Sequence, residues 1–385
     1  MAGHVARGAV PGLVTLLCRH GELHVDVIGT KAAGSDDPMR RDTIFRITSM
    51  TKPVTAVATM ILIEECKLRL DQPVERFLPE LAERQVLRRI DGPLDDTVPA
   101  QRPITVRDLL TFRLGLGLVM SPAPLPIQQA IRELGIVGFG PPDPTTPYDP
   151  DEWLRRLATL PLMYQPGERW LYNVGSYVLG VLIARVTGQP LEAFLRERIF
   201  APLGMHDTAF SVPAAKLDRL ASCYGVESKN GALQLHDGVH DGAWSRPPAF
   251  PDGGAGLVST ADDFLTFAQM LLNDGKLGNE RILSRPSVDT MTTDQLTPAQ
   301  KAVSGFAPGD FDHRGWGFGV SVVTGRDDIS AVPGKYGWDG GFGTSWATDP
   351  AEDMIAILMT QRLAFPAFSE PYLDFWTSAY QAIDD

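Results

Sequence analysis

The segment that most restricts how this chain can fold is the run Pro53 to Ile63, which is apolar on nearly every side and has Ser49-Met50-Thr51-Lys52 at its head. Val54, Val57, Met60, Ile61, Leu62 and Ile63 leave a helix here no wet face, so the rest of the protein must wrap around it. Pro53 is tolerated because it falls in the first turn, where few backbone donors have partners. Residues three apart share one face of a helix, so the Ser49 hydroxyl and the Lys52 amine can meet in one cleft. A hydroxyl is a weak nucleophile until a base takes its proton, and a desolvated lysine can be that base. The helix start also favours developing negative charge. No other Ser-x-x-Lys occurs in the 385 residues. The helix is expected to continue to about Cys66, with that cysteine as a small core residue.

The flanking sequence supplies the layers. Leu13 to Cys18 and Leu23 to Ile28 are β-rich runs around Arg19-His20-Gly21-Glu22 and read as a hairpin. Helices are expected over Glu152 to Leu160, Val174 to Thr187 (ended by Gly188), Leu191 to Ile199, and Phe264 to Asn273, the last capped by Ser259-Thr260-Ala261-Asp262 and stopped by Gly275. Ser121 to Pro150 holds eight prolines and reads as an ordered, extended excursion. Trp316 to Val323, Phe342 to Thr348 and Met354 to Thr360 fit a meander, and an amphipathic helix closes the chain from about Pro371 to Ile383. Strands at both ends with helices between them predict an α/β fold of the α+β type: one antiparallel sheet built from both termini, flanked by helices. Residues 1–75 and 250–385 would form that α/β part, and 76–249 an inserted, mainly helical and loop-rich region.

Composition removes several functions. The net charge is −12 and no Lys/Arg block occurs, which speaks against nucleic-acid or anionic-membrane partners. No stretch reaches the roughly 18 apolar residues of a membrane span. Ala9 to Cys18 contains Pro11 and Gly12 and reads as the first strand rather than a secretory segment, so a cytoplasmic location is expected. Cys18, Cys66 and Cys223 are odd in number and widely spaced, unlike a disulfide framework or a zinc cluster. His236 and His240 stand four apart, but Gly238 and Gly242 argue for a loop without a third ligand. No phosphate-cradling Gly-x-x-x-x-Gly-Lys-Ser/Thr occurs. No metal or organic cofactor is expected, and the oligomeric state is open.

Two further segments give Ser49-x-x-Lys52 its context. One is Gln165-Pro166-Gly167-Glu168-Arg169-Trp170-Leu171-Tyr172-Asn173-Val174, followed by Gly175-Ser176-Tyr177. The other is Gly337-Trp338-Asp339-Gly340-Gly341-Phe342-Gly343-Thr344. With Ile104 to Thr111 and Pro202 to Thr208, they make residues 10 to 362 resemble the serine β-lactamase and penicillin-binding-protein superfamily, in its esterase branch next to class C β-lactamases. The resemblance implies the β-lactamase/transpeptidase-like fold. It implies Ser49 as the acylated nucleophile, with Lys52 and Tyr172 sharing the general-base role and Lys52 lowering the Tyr172 pKa. It implies an oxyanion hole from the backbone N–H groups of Ser49 and Gly341, on an edge strand beside the nucleophile, with Val174, Trp338, Asp339 and Gly340 toward substrate. Gly340 and Gly341 would let the backbone approach it closely.

Two departures bear on substrate. Val174 stands where the β-lactamase pattern Tyr-x-Asn has an amide that can hydrogen-bond substrate. Trp338 stands where Lys-x-Gly has a cation suited to a β-lactam carboxylate. Both favour neutral esters of short to medium acyl length, hydrolysed through an acyl-enzyme. β-Lactam or D-amino-acid amide hydrolysis, acyl transfer and a non-catalytic binding role remain as alternatives. Gly343-Thr344-Ser345-Trp346-Ala347 nearly matches the elbow of α/β-hydrolases. It reads as a strand, however, and the last histidine, His313, precedes Ser345, whereas that fold needs one after it.

Overall fold

The computed structural model describes residues 1–136, 143–226, 232–363 and 369–384. Strands β1 (Gly12–Arg19) and β2 (Glu22–Gly29) form the expected hairpin. His20 and Gly21 join them with φ of 50° and 80°, the left-handed pair that a two-residue hairpin turn needs. At the other end of the chain come β3 (Arg314–Trp316), β4 (Ser321–Val323), β5 (Tyr336–Gly340), β6 (Thr344–Asp349) and β7 (Met354–Thr360). All seven strands make one antiparallel sheet in the order β3-β4-β5-β6-β7-β1-β2. The termini therefore meet in its middle, where β1 pairs with β7 from Leu13↔Thr360 to Arg19↔Met354. The run expected as one strand from Trp316 to Val323 is instead a tight hairpin, closed by Gly317 N–H on the Val320 carbonyl at 2.9 Å.

Four helices pack on the two sides of the sheet: α1 (Thr51–Glu64), α2 (Val174–Thr187) and α3 (Ala261–Leu272) on the side of the large core, and α4 (Glu370–Gln381) on the other. Alternation along β7 divides the core. Ile355, Ile357 and Met359 face the large core with α1 to α3, while Met354, Ala356 and Leu358 face Phe375, Trp376 and Tyr380 of α4. Helix α1 is buried without a break from Thr51 to Leu62, as its all-round apolar sequence requires, and α2 packs against it.

Several expectations need correction. Helix α1 stops at Glu64. Cys66 lies past its end with φ of 57° and is exposed, so it is not a core residue; Cys18 and Cys223 are buried. The proline-rich excursion contains a helix, Pro126–Leu134, seated by Ile127 and Ile131 and ended by left-handed Gly135. Proline there occupies the first helical position, where its missing N–H costs nothing. Residues 137–142 of that excursion lie outside the described residues. The helix at Leu191 ends at Leu195 and widens into a π-turn, Arg196–Phe200. Among the described residues, no single helix is long and apolar enough to cross a membrane.

Candidate active site

Ser49 sits on a single 3₁₀ turn, Thr48–Met50, that feeds directly into α1. Thr48, a β-branched residue, is held at φ of 43°, a conformation that costs free energy unless its surroundings enforce it. The enforcement is visible. The Ile47 N–H donates to the Leu257 carbonyl at 3.1 Å, and the Ile47 carbonyl takes Met50 N–H at 3.1 Å and the Thr344 hydroxyl at 3.3 Å. Strand β5 presses on the same turn. A Cβ added at Gly340 would stand 2.4 Å from the Ile47 carbonyl oxygen, 2.7 Å from Thr48 Oγ1 and 2.1 Å from Thr344 Oγ1. Gly340 thus lets the strand approach the nucleophile's own turn. Gly341 follows it as the chain leaves β5, in the turn closed by Gly343 N–H on the Gly340 carbonyl at 3.0 Å.

Lys52, one helical turn on, reaches back as the i, i+3 spacing requires. Its Nζ lies 2.8 Å from Ser49 Oγ and donates to the Gly254 carbonyl at 2.7 Å. The side chain is 1% exposed. Burial pushes its pKa well below the ordinary lysine range, and the Asp252 carboxylate opposes that shift.

Tyr172 stands two residues ahead of α2, whose N-cap is Asn173. Its backbone is fixed by Leu118 N–H on its carbonyl and by Leu171 N–H on the Phe112 carbonyl at 2.8 Å. Its hydroxyl accepts from Trp338 Nε1 at 2.8 Å. The Lys52 Nζ faces the tyrosine ring, 4.5 Å from its centroid, rather than capping the phenol oxygen. Burial pushes the phenol up, beyond what hydrogen bonds with Ser49 and Trp338 restore, and the Asp339 and Asp252 charges add to the rise. The expected lowering of this pKa by Lys52 is therefore corrected: the net shift of the Tyr172 phenol is upward.

The sheet sorts the remaining candidates. Trp338 faces the site with its indole 5.6 Å from the Tyr172 ring and 4.7 Å from that of Trp316. Phe112, Trp170 and Phe306 complete an aromatic wall around Tyr172. Asp339, the next residue on β5, points to the opposite face. It accepts from Ser345 Oγ at 2.6 Å and from Tyr372 of α4 at 3.4 Å, so the structure does not bring its side chain to the cleft. Ser345 is fully buried on that same bond. Val174 opens α2 but is 1% exposed and packed in the large core. Strand β5 is not the sheet's edge, because β4 lies outside it; yet β4 pairs only Tyr336 and Gly337, leaving Trp338 to Gly340 unpaired on that side. Among the described residues, no three metal-ligating side chains gather. Asp252 and Gly254, which lie about 200 residues from Lys52 in sequence, were not readable as site residues; Pro251-Asp252-Gly253-Gly254 signals only a turn.

With this geometry in hand, comparison with known proteins gives consistent relatives. The family model described as Beta-lactamase matches residues 1–375. An uncharacterised protein of Mycobacterium tuberculosis is 41% identical over 92% of this chain and 86% of its own length. Esterase EstB of Burkholderia gladioli is 32% identical over 94% of this chain and 88% of its own. Among solved structures, EstCE1, described as a hydrolase with promiscuous acyltransferase activity, superposes with a TM-score of 0.77 at 27% identity, covering 98% of this chain and 95% of that one.

Proposed function

The chain belongs to the β-lactamase family, and from that premise we propose that it is a serine hydrolase that cleaves carboxylic esters of short to medium acyl length through an acyl group on Ser49. The observation that carries the reading is the buried Lys52 Nζ, 2.8 Å from Ser49 Oγ, in surroundings that favour its neutral form. Neutral Lys52 takes the Ser49 proton as Oγ attacks the ester carbonyl. The backbone N–H groups of Ser49 and Gly341 receive the developing oxyanion, each worth a few kcal/mol in the transition state. Tyr172, still protonated, bridges the proton's return to the departing alkoxide. Water then releases the acid by the same steps, and no cofactor takes part.

Ester over amide is supported by what the cleft lacks and what lines it. Val174 is packed in the core and brings no side-chain amide to the cleft, and Trp338 brings an indole where a cation would meet a carboxylate. The aromatic wall suits a neutral, apolar substrate. The esterase relative points the same way. Acyl transfer to an alcohol is a second reading, favoured by the likeness to EstCE1. The test is the initial rate on p-nitrophenyl butyrate for wild type and folded Ser49→Ala. Loss of turnover together with loss of an acyl adduct at Ser49 is expected. Equal rates would refute the scheme.

A further inference from the structure

Lys52 has a second partner that the ester chemistry above leaves unused. The Gly254 carbonyl it binds belongs to a turn folded by Asp252. Asp252 Oδ1 accepts the Gly254 N–H at 2.6 Å, Ala255 N–H adds a bond to the carboxylate, and the Asp252 carbonyl accepts Gly256 N–H at 3.0 Å. The turn is wedged between α1 and α2. A Cβ at Gly253 would stand 2.7 Å from the Ser176 carbonyl, and one at Gly254 2.9 Å from the Tyr177 ring. Lys52 from α1, Tyr172 ahead of α2 and Tyr177 within it are the titratable groups that share a field with Asp252. Lys52 is the cation among them, and burial resists ionisation of both members.

We propose that Asp252 is a positioning residue for Lys52: its carboxylate aims the Gly254 carbonyl at Nζ and supplies the counter-charge that keeps a protonated lysine attainable in this buried site. The proposal rests on the reading of Lys52 as the base. A base that takes a proton and returns it must reach both states near working pH. Burial lowers the Lys52 pKa, and the Asp252 charge opposes that shift.

Two variants separate aim from charge. Asp252→Asn keeps an oxygen for the Gly254 N–H and removes the charge, whereas Asp252→Ala removes both. Lys52 is titrated directly by NMR in protein carrying ¹³Cε-lysine, its signal assigned by its loss in Lys52→Ala. The pH profile of kcat/KM is measured on p-nitrophenyl butyrate, with melting curves to confirm folding. Asp252→Asn should lower the Lys52 midpoint by about one unit and move the acid limb of the profile by the same amount. Asp252→Ala should show that shift and lose at least about tenfold more kcat. Asp252→Glu should restore the midpoint without fully restoring kcat. An unchanged Lys52 midpoint in Asp252→Asn overturns the counter-charge role, and equal kcat in the Asn and Ala variants overturns the aiming role. Should the wild type cleave no ester, the esterase reading falls, while the NMR midpoint still decides the role of Asp252.

Discussion

Replacing Gly340 by alanine separates what the structure says of this residue from what its motif alone suggests. The added methyl would stand 2.4 Å from the Ile47 carbonyl oxygen, and ordinary contact needs about 1 Å more. That oxygen is backbone and is held on two sides by Met50 N–H and the Thr344 hydroxyl, so it cannot swing away. Either β5 or the Ser49 turn must shift by about 1 Å. Overpacking of this kind costs about 1–3 kcal/mol, and a 1 Å misplacement of a nucleophile can cost about a hundredfold in rate. Gly340→Ala should therefore melt several degrees lower and lose about two orders of magnitude in kcat on p-nitrophenyl butyrate, with KM changed little. The assay is steady-state kinetics beside a thermal melt. If Gly340 instead served close approach of substrate, KM would rise while kcat and stability held. That pattern, or wild-type kinetics, would refute the argument.

Three further outcomes follow from the same geometry. The acid limb of kcat/KM should fall near neutrality, far below the ordinary lysine value of about 10.4, because activity needs neutral Lys52 and burial lowers its pKa; a rise only above pH 9 would refute a lowered Lys52 as the base. Trp338→Phe removes the 2.8 Å bond to the Tyr172 hydroxyl, a contact worth about 1 kcal/mol, so kcat/KM should drop about fivefold, and an unchanged value would mean that the bond does not hold Tyr172. A thiol reagent should modify Cys66 quickly in the native protein and leave Cys18 and Cys223 intact, since Cys66 is exposed and burial raises the other two thiols; mass spectrometry after brief exposure would show it, and esterase activity should survive.

Local patterns were legible where local physics sets them. The all-round apolar run of α1, the glycine that ends α2 and the β-rich runs at both termini each encode an element through its own composition or cap, and one antiparallel sheet shared by the two termini follows from them, though not its full set of seven strands. The misreadings came from features with no local signature. Cys66 continues the apolar pattern, yet the chain turns left-handed two residues past the helix. Residues 126–134 look like loop because prolines surround them, but Ile127 and Ile131, four apart, already mark a buried helical face. Asp339 sits inside a motif, and a motif does not say which face of its strand meets the cleft; its neighbour Trp338 does, and alternation then sends the aspartate to α4.

The division of labour between Lys52 and Tyr172 is the clearest case of information that the sequence carries only after folding. Their spacing from Ser49 says that all three can meet, and it leaves the base undecided, because either a phenolate or a neutral amine would serve. Burial breaks the tie, since it favours the uncharged form of both groups. In the proposed scheme the uncharged lysine serves as the base and the uncharged tyrosine as the acid. A cation directly at the phenol oxygen could have reversed the order, but the Lys52 Nζ lies over the ring face and its hydrogen bonds go to Ser49 and Gly254. The carbonyl it binds comes from a turn some 200 residues away, folded by the aspartate proposed above as its positioning residue. If Lys52 is the base as proposed, the packing of Pro251 to Gly256 against α1 and α2 sets its surroundings, and substitutions in that turn should alter the pH profile as surely as substitutions in the motifs.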